Sequence, residues 1–484
     1  MSISGTMSSA LSGWTATSRA AELISSNIAN ALTEGYARRE LEIGARQVGD
    51  VSQGVQINGV TRQVNQVLLN DRRLAAAASA DCDVATGFLQ RLESAVGSAE
   101  NAGSLVGRIA ALDGALISAA SQPQSEARLV GLADAARNLT ETFQRSSEEI
   151  QSARSTADTR IAADVKAINR ALSAVAELNG QIVAFNSEGR DPSALEDQRQ
   201  QLIDRIAPIV PLREMPRENG RIALYTITGA ALLDGRPAIL GFSAAGVITP
   251  DMTLASGALS GLTLNGKPVK TDAAGALGGG SLSAQFAIRD TLAPDAQANL
   301  DAVARDLIER FADPALDSTL VTGDAGLFTD RGLALSVENE VGLAGRITLN
   351  SLVTTENGGA VWKLRDGLGA TTPGPVGDAR LLGAMERALT DPRPMSSGPF
   401  SPANRSFSEV GAQLTARIAT DRLDAETEAS FTSARYGALQ YQELGAGVDT
   451  DRELQDLLLI ERAYAANAKV VQTVDDMMKI LLGM

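Results

Sequence analysis

Residues 451–482 read DRELQDLLLIERAYAANAKVVQTVDDMMKILL, and their spacing decides the fold. Leu457, Tyr464, Val471 and Met478 recur every seven residues, and Ile460, Asn467, Val474 and Leu481 recur with the same period. Alternating steps of three and four residues put both sets on one side of an α-helix, as the seam of a coiled coil. Asn467 falls on that seam, where a single amide selects register and oligomer state at some cost in stability. Thr450 and Glu453 have capping-box spacing, which predicts the helix start.

The opposite end of the chain carries the same device. Ile3, Ala10, Thr17, Ile24 and Ala31 share one heptad position, and Met7, Trp14, Ala21 and Ile28 share the other. This seam is thin, and the rest of the segment is Ser, Thr, Ala and Asn. A helix with so little apolar area is marginal alone in water, so it needs a partner. An ordinary core helix would also show a seam, but here both ends of one chain do, with no break to mark a loop. The two ends are therefore expected to pair with each other and with neighbouring subunits. The expected polymerisation interface is Ile3, Met7, Trp14, Ile24 and Ile28 with Leu457, Ile460, Tyr464, Asn467, Val471, Val474, Met478 and Leu481.

Between the ends, residues 36–75 read as extended, with alternation around Val51, Val55, Ile57 and Val60. Helical spacing returns over 74–120. From Ser125 to Asn186 there is no proline, and Ile161, Val165, Ile168, Leu172, Val175, Leu178 and Ile182 keep helical spacing. Unbroken, that helix would be roughly 90 Å long, a rod rather than part of a compact globule, with Gly131 and Gly180 as weak points. A shorter helix follows over 192–212. Residues 216–280 are rich in glycine and β-branched residues, and Asn265-Gly266 is a hairpin signal. Helix resumes over 281–312 and 406–446, and 313–400 reads as short strands between Gly and Pro.

The predicted fold class is α+β: an elongated multi-domain rod with paired terminal coiled-coil helices, a long helical bundle core and an inserted β-rich middle. Residues 1–35 and 447–484 form the terminal helical domain. Residues 36–215, 281–312 and 401–446 form the helical rod with some extended segments, and 216–280 with 313–400 form the β-rich middle.

Composition narrows the function. Among 484 residues the formal charge is −15, and aromatics make up 4%. A strongly acidic surface argues against nucleic acid, whose affinity rests on Lys and Arg neutralising phosphates, and against an anionic membrane surface. With no histidine, the commonest general acid–base and metal ligand are gone. The single cysteine, Cys82, lies between Asp81 and Asp83, where negative charge disfavours the thiolate. No run of about 18 apolar residues predicts a membrane span, and the first residues do not read as a cleavable signal peptide. No cofactor or metal is expected: Gly278-Gly279-Gly280 lacks the Lys-Ser or Lys-Thr of a phosphate loop. Asp449 and Asp451 lack the glycine and distal glutamate of a calcium loop.

Ser26-Asn27-Ile28-Ala29-Asn30, then Thr33, Gly35-Tyr36 and Arg38, resembles the N-terminal signature of flagellar axial proteins, the rod, hook and hook-associated group. Asn30 and Gly35 suit the turn after a helix, since both tolerate left-handed backbone. Leu195-Glu196-Asp197-Gln198-Arg199 with Leu202-Ile203 resembles a segment of the hook-associated protein 1 family. So do Leu178-Asn179, Phe286-x-x-Arg289-Asp290-x-Leu292, Gly447-Val448-x-x-Asp451-x-Glu453-Leu454 and Ala463-Tyr464-x-Ala466-Asn467. Arg452-Glu453 and Glu461-Arg462 depart from the usual closing motif, which alters partner charge.

The resemblance implies a structural adaptor joining hook to filament as a ring, with Asn27, Asn30, Gly35, Tyr36, Asp197, Gln198 and Arg199 as family-motif positions. It implies copies of itself, the flagellar hook protein, hook-associated protein 3 and an export chaperone as partners. It also implies an extracellular place at the hook–filament junction, reached through the flagellar type III apparatus without a cleaved signal peptide. Arg199 is expected to pair with Asp197, Glu196 or a neighbouring helix. The alternatives are another axial protein, hook protein or hook-associated protein 3, or a carboxylate-dependent hydrolase in the middle.

Overall fold

In the computed structural model the chain is α+β, and the structure describes residues 3–33, 35–48, 51–98, 100–400 and 403–483, without the side chains of 48, 51, 52, 357, 481 and 482. It opens with helix α1 (Ile3–Ala29), a hairpin of β1 (Arg38–Val48) and β2 (Val51–Gln63), and helices α2 (Gln66–Val96), α3 (Leu105–Ser121), α4 (Glu126–Ser187) and α5 (Ser193–Ile206). Strands β3 (Leu212–Pro216), β4 (Ile222–Thr226), β5 (Ala231–Asp234) and β6 (Arg236–Pro237) form an antiparallel sheet in that order. A second small sheet joins β7 (Leu240–Gly241), β8 (Leu262–Leu264) and β9 (Lys267–Val269). Asn265 and Gly266, with φ of 52° and 77°, make the β8–β9 turn, as the Asn-Gly pair predicts. Helix α6 (Ser281–Ala287) runs through a π-helical turn at Ile288–Leu292 into α7 (Ala293–Phe311). Strands β10 (Phe328–Asp330) and β11 (Ile347–Leu349), short helices α8 (Lys363–Asp366) and α9 (Arg380–Thr390), and long helices α10 (Phe407–Gly445) and α11 (Thr450–Leu482) complete the chain.

Helix α4 is the spine. Its 62 residues span about 93 Å, unbroken through Gly131 and Gly180. Two cores sit along it. Leu132, Ala136, Leu139, Phe143 and Ile150 pack with α3, α7, α9 and the first half of α10. Ile161, Val165, Ile168, Leu172 and Val175 pack with α5, α6 and the two middle sheets. One apolar stripe at helical spacing thus feeds two successive cores, and the molecule is elongated because its spine is.

Wholly buried charge pins the spine to the middle. Arg289, aimed inward by the π-helical turn, donates to Asp158 of α4 at 2.8 Å, to both Asp290 oxygens and to the Ser260 carbonyl. Its guanidinium also lies over the rings of Phe242 and Phe286. Arg154 fastens the same loop by donating to the carbonyls of Thr249 and Met252.

Three expectations need correction. Residues 313–400 are not β-rich: their strands are β10 and β11, three residues each, and the rest is turns, 3-10 segments and short helices. Gly and Pro break any longer strand. Scattered apolar residues such as Leu320, Leu343, Leu364 and Met385 instead plug the first core. Side chains satisfy the freed backbone, as where Arg310 donates to the carbonyls of Ala388, Asp391 and Arg405. Second, the extended segment ends at Gln63, because Asn65 caps α2 by accepting from Leu68 N. Third, α11 is capped by Asp449, which accepts from Asp451 N and Arg452 N, so Thr450 and Glu453 form no capping box.

Cys82 is half-buried on α2. Burial, then Asp81, Glu428 and Asp83, push its thiol up, away from nucleophilic use. Among the described residues no acidic or thiol cluster could hold a metal, and no helix is long and apolar enough to cross a membrane.

Candidate assembly interface

Helices α1 and α11 lie antiparallel: Asn27 meets Glu453 at one end, and Trp14 meets Tyr464 about three turns along, with ring centroids 5.7 Å apart. The interface is built from small residues on one side and the heptad seam on the other. Gly13 faces Asn467 so closely that a Cβ there would stand 2.9 Å from its Nδ2. The seam amide therefore sits against the α1 backbone at Gly13.

Helix α11 packs against α1, and the positions anticipated from its heptads are covered to different degrees. Val474 is buried, and Leu457, Ile460, Asn467 and Val471 are half-buried. Tyr464 and Met478 remain 38% and 40% exposed at the edge of the seam, and the side chain of Leu481 lies outside the described residues. On α1, Ile24 is buried, Met7 and Ile28 are half-buried, and Ile3 and Trp14 are exposed. The most covered face of α1 also includes Ala16, Leu23 and Asn27. These lie off the anticipated seam because the β1–β2 hairpin covers a second side of the helix. Val55 N donates to Ser12 Oγ, and Gly54, at φ +96°, packs on Ser9 with no room for a side chain.

Polar groups lock the pair where α1 ends. Asn27 has no exposed surface. Its Nδ2 donates to Glu453 Oε2 and to the Arg39 carbonyl, each at 3.0 Å. Its Oδ1 accepts from Arg39 N at 3.0 Å and from the Tyr36 hydroxyl at 2.9 Å. The other Glu453 oxygen accepts from Arg38 Nε at 2.5 Å. One amide thus fastens helix α1, the start of β1 and helix α11.

A second lock ties this unit to the rod. Asp197 of α5 accepts from Arg39 at 2.7 Å and from Arg62 at 2.6 Å, one arginine from each hairpin strand. Arg62 also donates to Gln200. Gly35 makes the approach possible, with φ +78° and a would-be Cβ 2.7 Å from Gln201 Cγ.

Asn27, Gly35, Tyr36 and Asp197 lie around the end of α1 and the start of the hairpin, and Gln198, Arg199 and Asn30 do not join them. Gln198 is exposed, on the side of α5 away from Asp197. Arg199 does not pair with Asp197, since residues two apart on a helix do not face each other. It donates to Asn179 Oδ1 of α4 at 2.9 Å and to the Gly220 carbonyl at 2.7 Å, with Glu196 4.0 Å away. Burial pulls its guanidinium below its ordinary value. Asn30 does not adopt left-handed backbone; its Nδ2 donates to the Ser26 carbonyl. Sequence reading missed the role of Glu453, yet the signal was present. Glu453 stands seven residues before Ile460, on the seam itself, where a carboxylate demands a partner.

Three family models match the chain. The flagellar hook-associated protein FlgK helical domain matches residues 89–326, the flagellar basal body rod FlgEFG protein C-terminal region matches 443–484, and the flagella basal body rod protein matches 7–36. Among curated proteins, flagellar hook-associated protein 1 of Bacillus subtilis (strain 168) is 22% identical over 95% of this chain and 94% of its own length. The protein of that name from Escherichia coli (strain K12) is 22% identical over 99% of this chain and all of its own length. The one from Salmonella typhimurium is 25% identical over 49% and 44%. Among solved structures, the flagellar hook junction protein FlgK from Burkholderia pseudomallei aligns with a TM-score of 0.45 and 19% identity, covering 54% of this chain and 46% of that one.

Proposed function

From the premise that the chain belongs to the hook-associated protein 1 family of flagellar axial proteins, and is thus a structural component of the flagellum, we propose that it is the adaptor joining hook to filament. Copies form a ring by bundling of the terminal helices, after export through the flagellar type III apparatus without a cleaved signal peptide. Residues 1–35 and 447–484 act as the assembly module, and the helical rod with its middle sheets stands outside it. The partners are other copies, the hook protein, hook-associated protein 3 and an export chaperone for the C-terminal helix.

One observation carries the reading. The α1–α11 pair is held in place by Asn27 and Glu453, yet it leaves Leu454, Leu458, Leu459, Val470, Met477 and Ile480 at least 40% exposed. A two-helix unit with that much open apolar surface is half of a bundle. The helical-domain match over 89–326 favours this member over other axial proteins. Deletion of the gene should leave hooks in place, filaments absent and flagellin in the medium. A deletion strain with full-length filaments would overturn the assignment.

A further inference from the structure

Helix α11 and strand β1 lie side by side over α1 with an open groove of about 450 Å3 between them. Its floor holds the small residues Ala16, Thr17 and Ala20, and its walls hold Leu41 and Ile43 on one side and Leu459 and Ile460 on the other. Small residues on the floor let another helix backbone come close. The groove is also electronegative at one end. Arg38 faces three carboxylates, Glu453, Glu40 and Asp456, which leaves two negative charges unbalanced. The next cation, Arg39, is already committed to Asp197. An occupant must therefore bring an apolar helical face and a free cation.

The chain itself carries such a face. On the side of α11 opposite its seam, Leu454, Leu458, Arg462, Ala465 and Lys469 follow at steps of four, four, three and four residues, one stripe of a helix. Leu454 and Leu458 are 50% and 56% exposed. Among the described residues Arg462 has no acid within ion-pair reach, and the Lys469 ammonium donates to Gln472. We propose that the outward face of α11 from a second copy of this chain seats in the groove, with Leu454 and Leu458 on its apolar walls and Arg462 against the carboxylates around Arg38. Groove and stripe are different surfaces of one chain, so the contact is heterologous and propagates from copy to copy.

This inference rests on assembly through the terminal helices, and its test separates the two. Asp456→Lys and Arg462→Glu are made singly and together in the full chain expressed in a strain lacking it, and filament-bearing hooks are counted. Each single reversal should lower the count about tenfold, and the double variant should restore it to within about twofold. Silent single reversals, or a double variant no better than its parents, would overturn the proposal while leaving the assembly reading intact. Thermal melting of each purified variant checks that the fold survives. A second measurement does not depend on charge: Ile43→Cys with Leu458→Cys, oxidised in intact flagella, should give disulfide-linked copies of this chain. Filaments that form without such links, or links to a different protein, would refute a second copy as occupant.

Discussion

Replacing Asn27 by aspartate tests the lock between α1 and α11 with almost no change in shape. The acceptor oxygen that serves Arg39 N and Tyr36 remains. The amide that donates to Glu453 Oε2 at 3.0 Å becomes a carboxylate oxygen facing a carboxylate. Two like charges about 4 Å apart repel by about 4 kcal/mol at an effective dielectric near 20. Arg38, on the far oxygen of Glu453, screens part of this. A net cost of about 3 kcal/mol is expected, roughly a 150-fold rise in opening of the terminal unit. Hydrogen exchange should show it as lost protection in α1, β1 and α11, with α4 unchanged. The sign with pH follows. A carboxyl held beside Glu453 has its folded pKa raised above its unfolded value, so its protonated form favours the folded state. The deficit against the parent chain is therefore full above the raised value and shrinks as pH falls toward the ordinary carboxylate range. Asn27→Ala should weaken the unit without that pH dependence. Exchange in the aspartate variant indistinguishable from the parent at pH 8, or a deficit equal at pH 5 and pH 8, would refute the assignment of Asn27 as the lock.

Three further outcomes follow from the rod and from its junction with the terminal unit. Burial pushes the Asp301 carboxyl up to about 6, against donors at Ala344 N, Gln297 and Gly342 N that pull it down. Its folded value exceeds its unfolded one, so its protonated form stabilises the fold below about pH 4, and that contribution is lost as pH rises through 6. The expected fall is about 3 kcal/mol, and Asp301→Asn should flatten this part of the denaturation profile. Arg289→Lys cannot reproduce the paired donation to Asp290 or the stacking on Phe242 and Phe286. Denaturant unfolding should register a loss of about 3 kcal/mol. Gly35→Ala forces a side chain onto Gln201 at positive φ. It should cost about 1–3 kcal/mol, seen as faster exchange in the β1–β2 hairpin and little change in α4.

The long elements were legible because their signals are local and repeated. The proline-free, periodic run from Ser125 to Asn186 became α4 almost to the residue, and the seam of α11 kept its phase through Ile460, Asn467 and Val474. Two things were not legible. The face of α1 rotated toward Ala16 and Leu23 because a hairpin distant in register shares the helix, and a heptad pattern records one partner, not two. Residues 313–400 hold their shape through carbonyls capped by Arg310, from outside the segment, and by Asn350, far along the chain from the Gly326 carbonyl it binds, contacts without periodicity. The motif positions showed where the site is. Its chemistry emerged only when Asn27, Arg38 and Glu453, separated by more than 400 residues between first and last, met in one place.

The most direct test of terminal-helix assembly is binding of the purified chain to purified hooks, counted by electron microscopy, for the parent and for Val474→Asp. Val474 is a buried residue of the α11 seam and belongs to neither rod core. The parent should cap hook ends and the variant should leave them bare, while α4 keeps its full exchange protection. Equal capping by both would mean that the terminal helices do not hold the assembly together.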